Sequence, residues 1–468
     1  MVTDQLPATV FVLYGGTGDL ARRMVLPAFF DLYVRGLLPA SWKLVGNGRG
    51  DVAHEDFRSH VHGALQEFAT SPTEEQWAGF APNVLFAGGG FRAEDGAQLP
   101  ELIEQTRDDL GDDAQLVHYL AIPPNAFAPT TEAINEHGLA RGSKIVYEKP
   151  YGTSLDSFRK LDLMVHQVFD EDQVFRIDHF LGKEATQNVH MLRFANTMIA
   201  GIWNREFIEE VQIDVPETLD IADRAAFYDA TGAALDMLVT HLFQVAAEVA
   251  MEPPLSFGPQ DLQDAREAVI SAFRPLDPDD VVLGQFDGYQ QTEGIADDST
   301  TDTYVAAKLW VDTDRWRGVP FVLRTGKRLA ESAQRLSLLF RPPGGPLHSA
   351  GSEPEILGFD LQGNGRILME LTVKKPGPEF LPDDVDHVLE LDRVAEGAMA
   401  PYTSLIFDVL RGDRSLFTSS AGLAAAFLAF APLQGPDRPA VVPYAQDSWG
   451  PASADRLAGR FGWLLGRE

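Results

Sequence analysis

VFVLYGGTGDLARR, Val10 to Arg23, is an apolar run that ends abruptly at glycines and gives way to a helical pattern extending from Leu20 to Leu37. Such a switch predicts a strand, a tight turn and a helix. Gly15 and Gly18 sit at the junction. A backbone without Cβ atoms there can approach a pyrophosphate, and the N–H groups of the following helix offer it donors and positive potential. The spacing is Gly-x-x-Gly rather than the full Gly-x-Gly-x-x-Gly, so a dinucleotide turn and a plain strand–helix turn both remain open on these residues alone.

Outward from this turn the pattern repeats. WKLVGNG (42–48), QLVHYLAIPP (115–124) and KIVYEKP (144–150) read as further strands, the later ones each preceded by a helical stretch. Strands alternating with helices predict a parallel sheet covered on both faces, a Rossmann-like dinucleotide-binding domain. The alternation stops near residue 177, and strands dominate after the helix around 232–250. VQIDV (211–215) precedes that helix, and TYVAAKLWV (303–311), PFVLRT (320–325), RLSLLF (335–340) and RILMELTV (366–373) follow it with few long helices between them. That composition predicts a mainly antiparallel sheet in an α+β domain. The fold class is therefore α/β plus α+β, with residues 1–177 as the nucleotide domain and 178–468 as a larger substrate-binding and self-associating domain.

Composition narrows the function. The 468 residues are 45% apolar, as in ordinary globular proteins. No apolar run approaches the roughly 18 residues of a transmembrane helix. The opening MVTDQLPATVFVLY has neither a basic leader nor a cleavage site and does not read as a signal peptide. A cytoplasmic protein is the simplest expectation. The absence of cysteine removes disulfides, thiolate metal sites and a cysteine nucleophile. A net charge of −31 speaks against nucleic acid and anionic membranes as partners. An anionic substrate would then need local basic residues to overcome the overall field. His60 and His62 read as an exposed helix without carboxylates at ligand spacing, and no metal is expected.

Three further stretches carry candidate chemistry. After the second strand come Asn47, Gly48 and Arg49, with no acid at the strand end. An arginine in that place favours a 2′-phosphate, hence NADP, although a surface arginine is the plainer alternative. VFRIDHFLGKE (Val174–Glu184) sets Asp178 beside His179, and adjacent residues of a strand would point to opposite faces. Lys183, just past Gly182, would stand near the start of a helix, where anions are favoured. In TGAALDMLVTHLFQVAAEV (231–249), Leu235, Leu238, Leu242, Val245 and Val249 form an apolar stripe, and His241 lies off it. Taken alone, His241 reads as a surface or satisfied core histidine.

Together these motifs resemble the glucose-6-phosphate dehydrogenase family. GGTGDLARR, EKPYG, RIDHFLGKE, LRFAN, WNR, AMEPP, GVPFVLRTGKRLAE and YAQDSWGPASADRL follow in family order almost end to end. The resemblance implies NADP-dependent oxidation of glucose 6-phosphate at C1 to 6-phosphogluconolactone, and a homodimer or homotetramer formed through the antiparallel sheet. It makes His241 the general base and Asp178 the carboxylate that orients it. His179 and Lys183 become phosphate ligands. Lys149 stands between cofactor and sugar, with a cis bond to Pro150. Glu217, Asp236, Lys327 and Gln362 contact the sugar. Gly15, Gly18, Asp19, Leu20, Arg22 and Arg49 contact the cofactor. Four positions depart from the family pattern. Phe180 lacks a tyrosine hydroxyl, Leu235 an arginine and Thr240 an asparagine. Asp360 stands in place of an arginine, which speaks against an additional structural NADP site. Another aldose phosphate, NAD, or a non-catalytic regulatory paralogue are the rival readings.

Overall fold

In this computed structural model, residues 6–50, 52–93, 98–111, 113–221, 225–344, 354–363, 365–391 and 397–467 are described. β1 (Thr9–Tyr14) is buried at every position, which is why its sequence is continuously apolar rather than alternating. It lies at the middle of a six-stranded, all-parallel sheet with β2 (Trp42–Asn47), β3 (Val84–Ala87), β4 (Gln115–Leu120), β5 (Lys144–Tyr147) and β6 (Val174–Arg176). The order is β3-β2-β1-β4-β5-β6. The direction of strand addition reverses between β1 and β4, and the crevice outside the carboxyl ends of these strands is where such sheets bind ligands.

The second sheet has nine strands: β7 (Ile208–Pro216), β8 (Val281–Phe286), β9 (Tyr304–Trp310), β10 (Pro320–Gly326), β11 (Arg335–Phe340), β12 (Ile356–Asp360), β13 (Arg366–Lys374), β14 (Pro382–Glu390) and β15 (Val441–Tyr444). Their order is β14-β13-β12-β11-β7-β10-β9-β8-β15. Only the β7–β10 and β8–β15 pairs are parallel. One end of this sheet is left bare: β14 is exposed throughout, and Leu371, Val373, Val385 and Val388 are each 40% exposed or more.

Two features differ from the sequence reading. Tyr228–Ala250 is long and apolar enough to cross a bilayer by length and composition, but 89% of its apolar window is buried inside the protein, so it is a core element. The helix Pro401–Arg411 returns to the first sheet: Leu405, Ile406 and Val409 share a core with Phe11, Leu44, Tyr119 and Phe175. Lys144 Nζ, at the start of β5, donates to the last carbonyls of that helix, Val409 O at 2.8 Å and Leu410 O at 3.0 Å. A cation there also complements the negative end of the helix dipole.

Candidate active site

The turn after β1 is built for close backbone approach. Gly15 has φ +74°, and a Cβ there would lie 2.3 Å from the carbonyl oxygen of Ala121, just past β4. Gly18 N–H donates to Gly15 O at 2.8 Å, and Gly16 N–H donates to Asn47 O at 3.0 Å. The helix starts at Asp19 and Leu20 and passes through a π-helical turn, Ala21–Val25. These exposed N-terminal N–H groups suit a dinucleotide pyrophosphate. The Arg22 guanidinium pairs with Glu67 and lies over Phe68. Arg49 is exposed past β2, with no ion-pair partner among the described residues. Asn47 spends its amide on the neighbouring loop, donating to Ala87 O and Gly90 O.

Lys149 follows β5 at the same carboxyl edge, and its bond to Pro150 is cis. Its Nζ lies 2.7 Å from His241 Nε2 and 3.2 Å from Asp236 Oδ1. An ammonium can only donate, so Nε2 of His241 is the acceptor and the ring proton sits on Nδ1. Nδ1–H donates to Asp178 Oδ1 at 2.6 Å, and the same oxygen accepts the Phe180 N–H at 2.9 Å. Both members of this pair are sealed from solvent, His241 0% and Asp178 2% exposed. Burial pushes Asp178 up to about 6. Burial, reinforced by the Lys149 charge, holds His241 well below the usual histidine range, so its imidazole is neutral with a free-base Nε2.

The helix that carries His241 explains why the apolar stripe misplaced it. Ala234–Leu242 is π-helical, and the chain leaves it with Phe243 N–H bonded to Leu238 O, five residues back. In an α-helix residues five apart are separated by about 140° around the axis. With i→i+5 bonding they stack about one turn apart. Asp236 and His241 therefore share a side, and one ammonium touches both. Thr240 Oγ1 bonds the Asp236 carbonyl oxygen at 2.7 Å, inside the same widened turn. Asp302 caps this segment: its Oδ2 accepts the Ala234 N–H and its backbone oxygen accepts the Ala233 N–H. Arg438 holds the other carboxylate oxygen at 2.6 Å. Gly232, φ +69°, lets the chain pass: a Cβ there would stand 2.8 Å from Asp302 Oδ1.

The opposite-face reading of Asp178 and His179 is corrected. β6 ends at Arg176, and 179–182 is a turn, so strand alternation does not apply. The His179 ring lies 4.6 Å from that of His241, roughly perpendicular to it. Phe180 is buried, its ring stacked on His241 at 4.6 Å. Lys183 Nζ sits 3.6 Å from the centre of the Phe180 ring and donates to Gln334 Oε1. Burial lowers Lys183 to about 8. It precedes the helix Glu184–Ala195 and lines, with Gln334, Gln362 and Pro401, a cleft of about 430 Å³. Gln362 is exposed on this cleft. Glu217 pairs with Lys327. Burial pushes Asp236 up, but the fields of Lys149, His241 and Lys327 outweigh it and hold its carboxyl below the usual range, and the Glu217 charge is felt at Lys183.

Asp178, His179 and His241 present atoms within 4.8 Å of one another, a spacing a metal could use. The Lys149 ammonium at Nε2 opposes a divalent cation there and fits proton chemistry instead. His60 and His62 are half-buried rather than exposed: His60 stacks on Phe57 and His62 packs on Trp77. Of the departures, Leu235 is a buried core residue, and Asp360 pairs with Arg335 and Arg366 across the sheet. Asp302, Gln334 and the Phe180 stack had no sequence signal of their own. They are contacts between segments far apart in the chain.

Two family models match: "Glucose-6-phosphate dehydrogenase, NAD binding domain" over residues 12–188 and "Glucose-6-phosphate dehydrogenase, C-terminal domain" over 190–464. The chain is 38% identical to glucose-6-phosphate 1-dehydrogenase 2 of Mycobacterium tuberculosis, covering 96% of this chain and 93% of the relative. It is similar to the crystal structure of glucose-6-phosphate 1-dehydrogenase from Mycobacterium avium, with TM-score 0.86 at 32% identity over 98% of this chain and 99% of that one. It is also similar to a glucose-6-phosphate dehydrogenase in complex with its substrate glucose-6-phosphate, with TM-score 0.92 at 29% identity over the whole of both chains.

Proposed function

The chain belongs to the glucose-6-phosphate dehydrogenase family, and from that premise we propose that it oxidises glucose 6-phosphate at C1 to 6-phosphogluconolactone with NADP, the first step of the oxidative pentose phosphate pathway. The carrying observation is the buried Asp178–His241 pair with a free-base Nε2 beside Lys149. His241 Nε2 takes the proton of the C1 hydroxyl. Asp178 keeps Nδ1–H in place and stabilises the imidazolium that forms. For the hydroxyl to reach Nε2, the Lys149 ammonium moves onto Asp236, its other acceptor. A bound nicotinamide dinucleotide supplies the hydride acceptor.

Gly15, Gly18, Asp19 and Leu20 would hold the cofactor pyrophosphate, Arg22 and Arg49 would contact the cofactor as cations, Arg49 at its 2′-phosphate, and Lys149 would stand between cofactor and sugar. Arg49, with no acid at the end of β2, supports NADP over NAD. His179 and Lys183 take the sugar phosphate. Glu217, Asp236, Lys327 and Gln362 take the hydroxyls. Residues 1–177 serve the nucleotide and 178–468 the sugar, with self-association as a homodimer or homotetramer through the bare end of the second sheet, in the cytoplasm.

The test is NADPH absorbance with the purified chain, glucose 6-phosphate and either NADP or NAD. Turnover with NADP is expected, and Arg49→Ala should lower the NADP-to-NAD ratio of kcat/KM by about 10-fold or more, the loss of a charged hydrogen bond. Absence of turnover with both cofactors would refute the activity, and an unchanged ratio would refute the role of Arg49.

A further inference from the structure

We propose that Gln334 is a ligand of the substrate's phosphomonoester, its side-chain N–H groups completing the site that Lys183 begins; this rests on the sugar-phosphate reading above. Among the described residues the Lys183 ammonium has no carboxylate within ion-pair distance. Its one hydrogen-bond acceptor is Gln334 Oε1, and its other close contact is the face of Phe180. An amide is neutral. It holds the lysine without cancelling its charge, and in a chain of net charge −31 that charge is what an anion needs.

The orientation of the amide follows. A lysine only donates, so it fixes Oε1 towards itself and leaves the two Nε2 hydrogens for another acceptor. Lys183, Gln334 and Gln362 line one cleft of about 430 Å³. Phe180, packed against the lysine, offers that cleft no donor. The amide is held on a rigid element: Gln334 directly precedes β11, and its backbone oxygen accepts the Leu361 N–H at 2.7 Å. Lysine charge plus amide donors is the chemistry that recognises a phosphate dianion.

Two variants of the full chain test this. Gln334→Met keeps the bulk and removes the donors; Gln334→Glu sets a carboxylate against both lysine and phosphate. The KM for glucose 6-phosphate should rise about 10-fold in the first and further in the second. The inhibition constant of inorganic phosphate should rise in step, while the KM for NADP stays within about twofold of wild type. Unchanged sugar-phosphate KM and phosphate inhibition in both variants would overturn the assignment. So would an equal rise in the NADP KM, the mark of general distortion. If the wild type did not oxidise glucose 6-phosphate, the functional reading would fall separately. Calorimetric titration with inorganic phosphate would still decide Gln334: weaker binding by Gln334→Met supports it, equal binding refutes it.

Discussion

Asp178 is ionised at neutral pH although its burial favours the protonated form. Its folded-state value of about 6 lies above the ordinary 3.8. The folded protein thus binds this proton more tightly than the unfolded chain does. Stability from the group is full below the unfolded value and is lost as pH rises through about 6. Above that, the ionised carboxylate costs about 3 kcal/mol. Asp178→Asn should therefore raise urea stability at pH 8 by up to that amount, while kcat falls because the imidazolium loses its counter-charge. A variant less stable than wild type at pH 8 would contradict the sign. Wild-type kcat should itself decline as pH drops below about 6. His241→Asn should lower kcat by about 100-fold or more with the sugar-phosphate dissociation constant nearly unchanged; near-normal turnover would exclude it as the base.

At the scale of elements, the π-helical segment matters most. It brings Asp236 and His241 to one ammonium, and Asp302 fixes where it begins. Asp302→Asn keeps an acceptor for Ala234 N–H but loses the charge that Arg438 neutralises. Stability should drop by about 1 kcal/mol, as for a weakened cap. If Asp302 positions the base, kcat should fall more than either KM rises. Equal loss across all kinetic constants would reduce it to a structural role. The strands were legible in the sequence because β1, β2, β4 and β5 are apolar runs bounded by glycine or proline. The π segment was not, because an apolar stripe is counted at 3.6 residues per turn and His241 sits where that count fails. Asp178 and His179 misled in the same way, since a strand period was extended to the second and third residues beyond β6. Which residues carry the candidate chemistry came from ordered motifs, and how they meet came only from the fold.

At the scale of the molecule, β13 and β14 leave valine and leucine side chains at the end of a nine-stranded sheet. An exposed apolar strand pair of this kind invites another copy. Val373→Lys with Val385→Glu, opposed in charge within one chain but misplaced against a neighbour, should shift sedimentation towards monomer. Unchanged sedimentation would refute this end of the sheet as a self-association surface. The division of labour along the chain is less simple than the two sheets suggest, because Pro401–Arg411 closes the core of the first one. A gene cut after codon 177 would thus not release a transferable nucleotide-binding module. The fragment would lack the apolar wall that Leu405, Ile406 and Val409 provide, and Lys144 would lose the carbonyls it holds. Recombination between relatives that exchanged only the front half would pair each new sheet with a foreign wall, so these two distant stretches are expected to be inherited together.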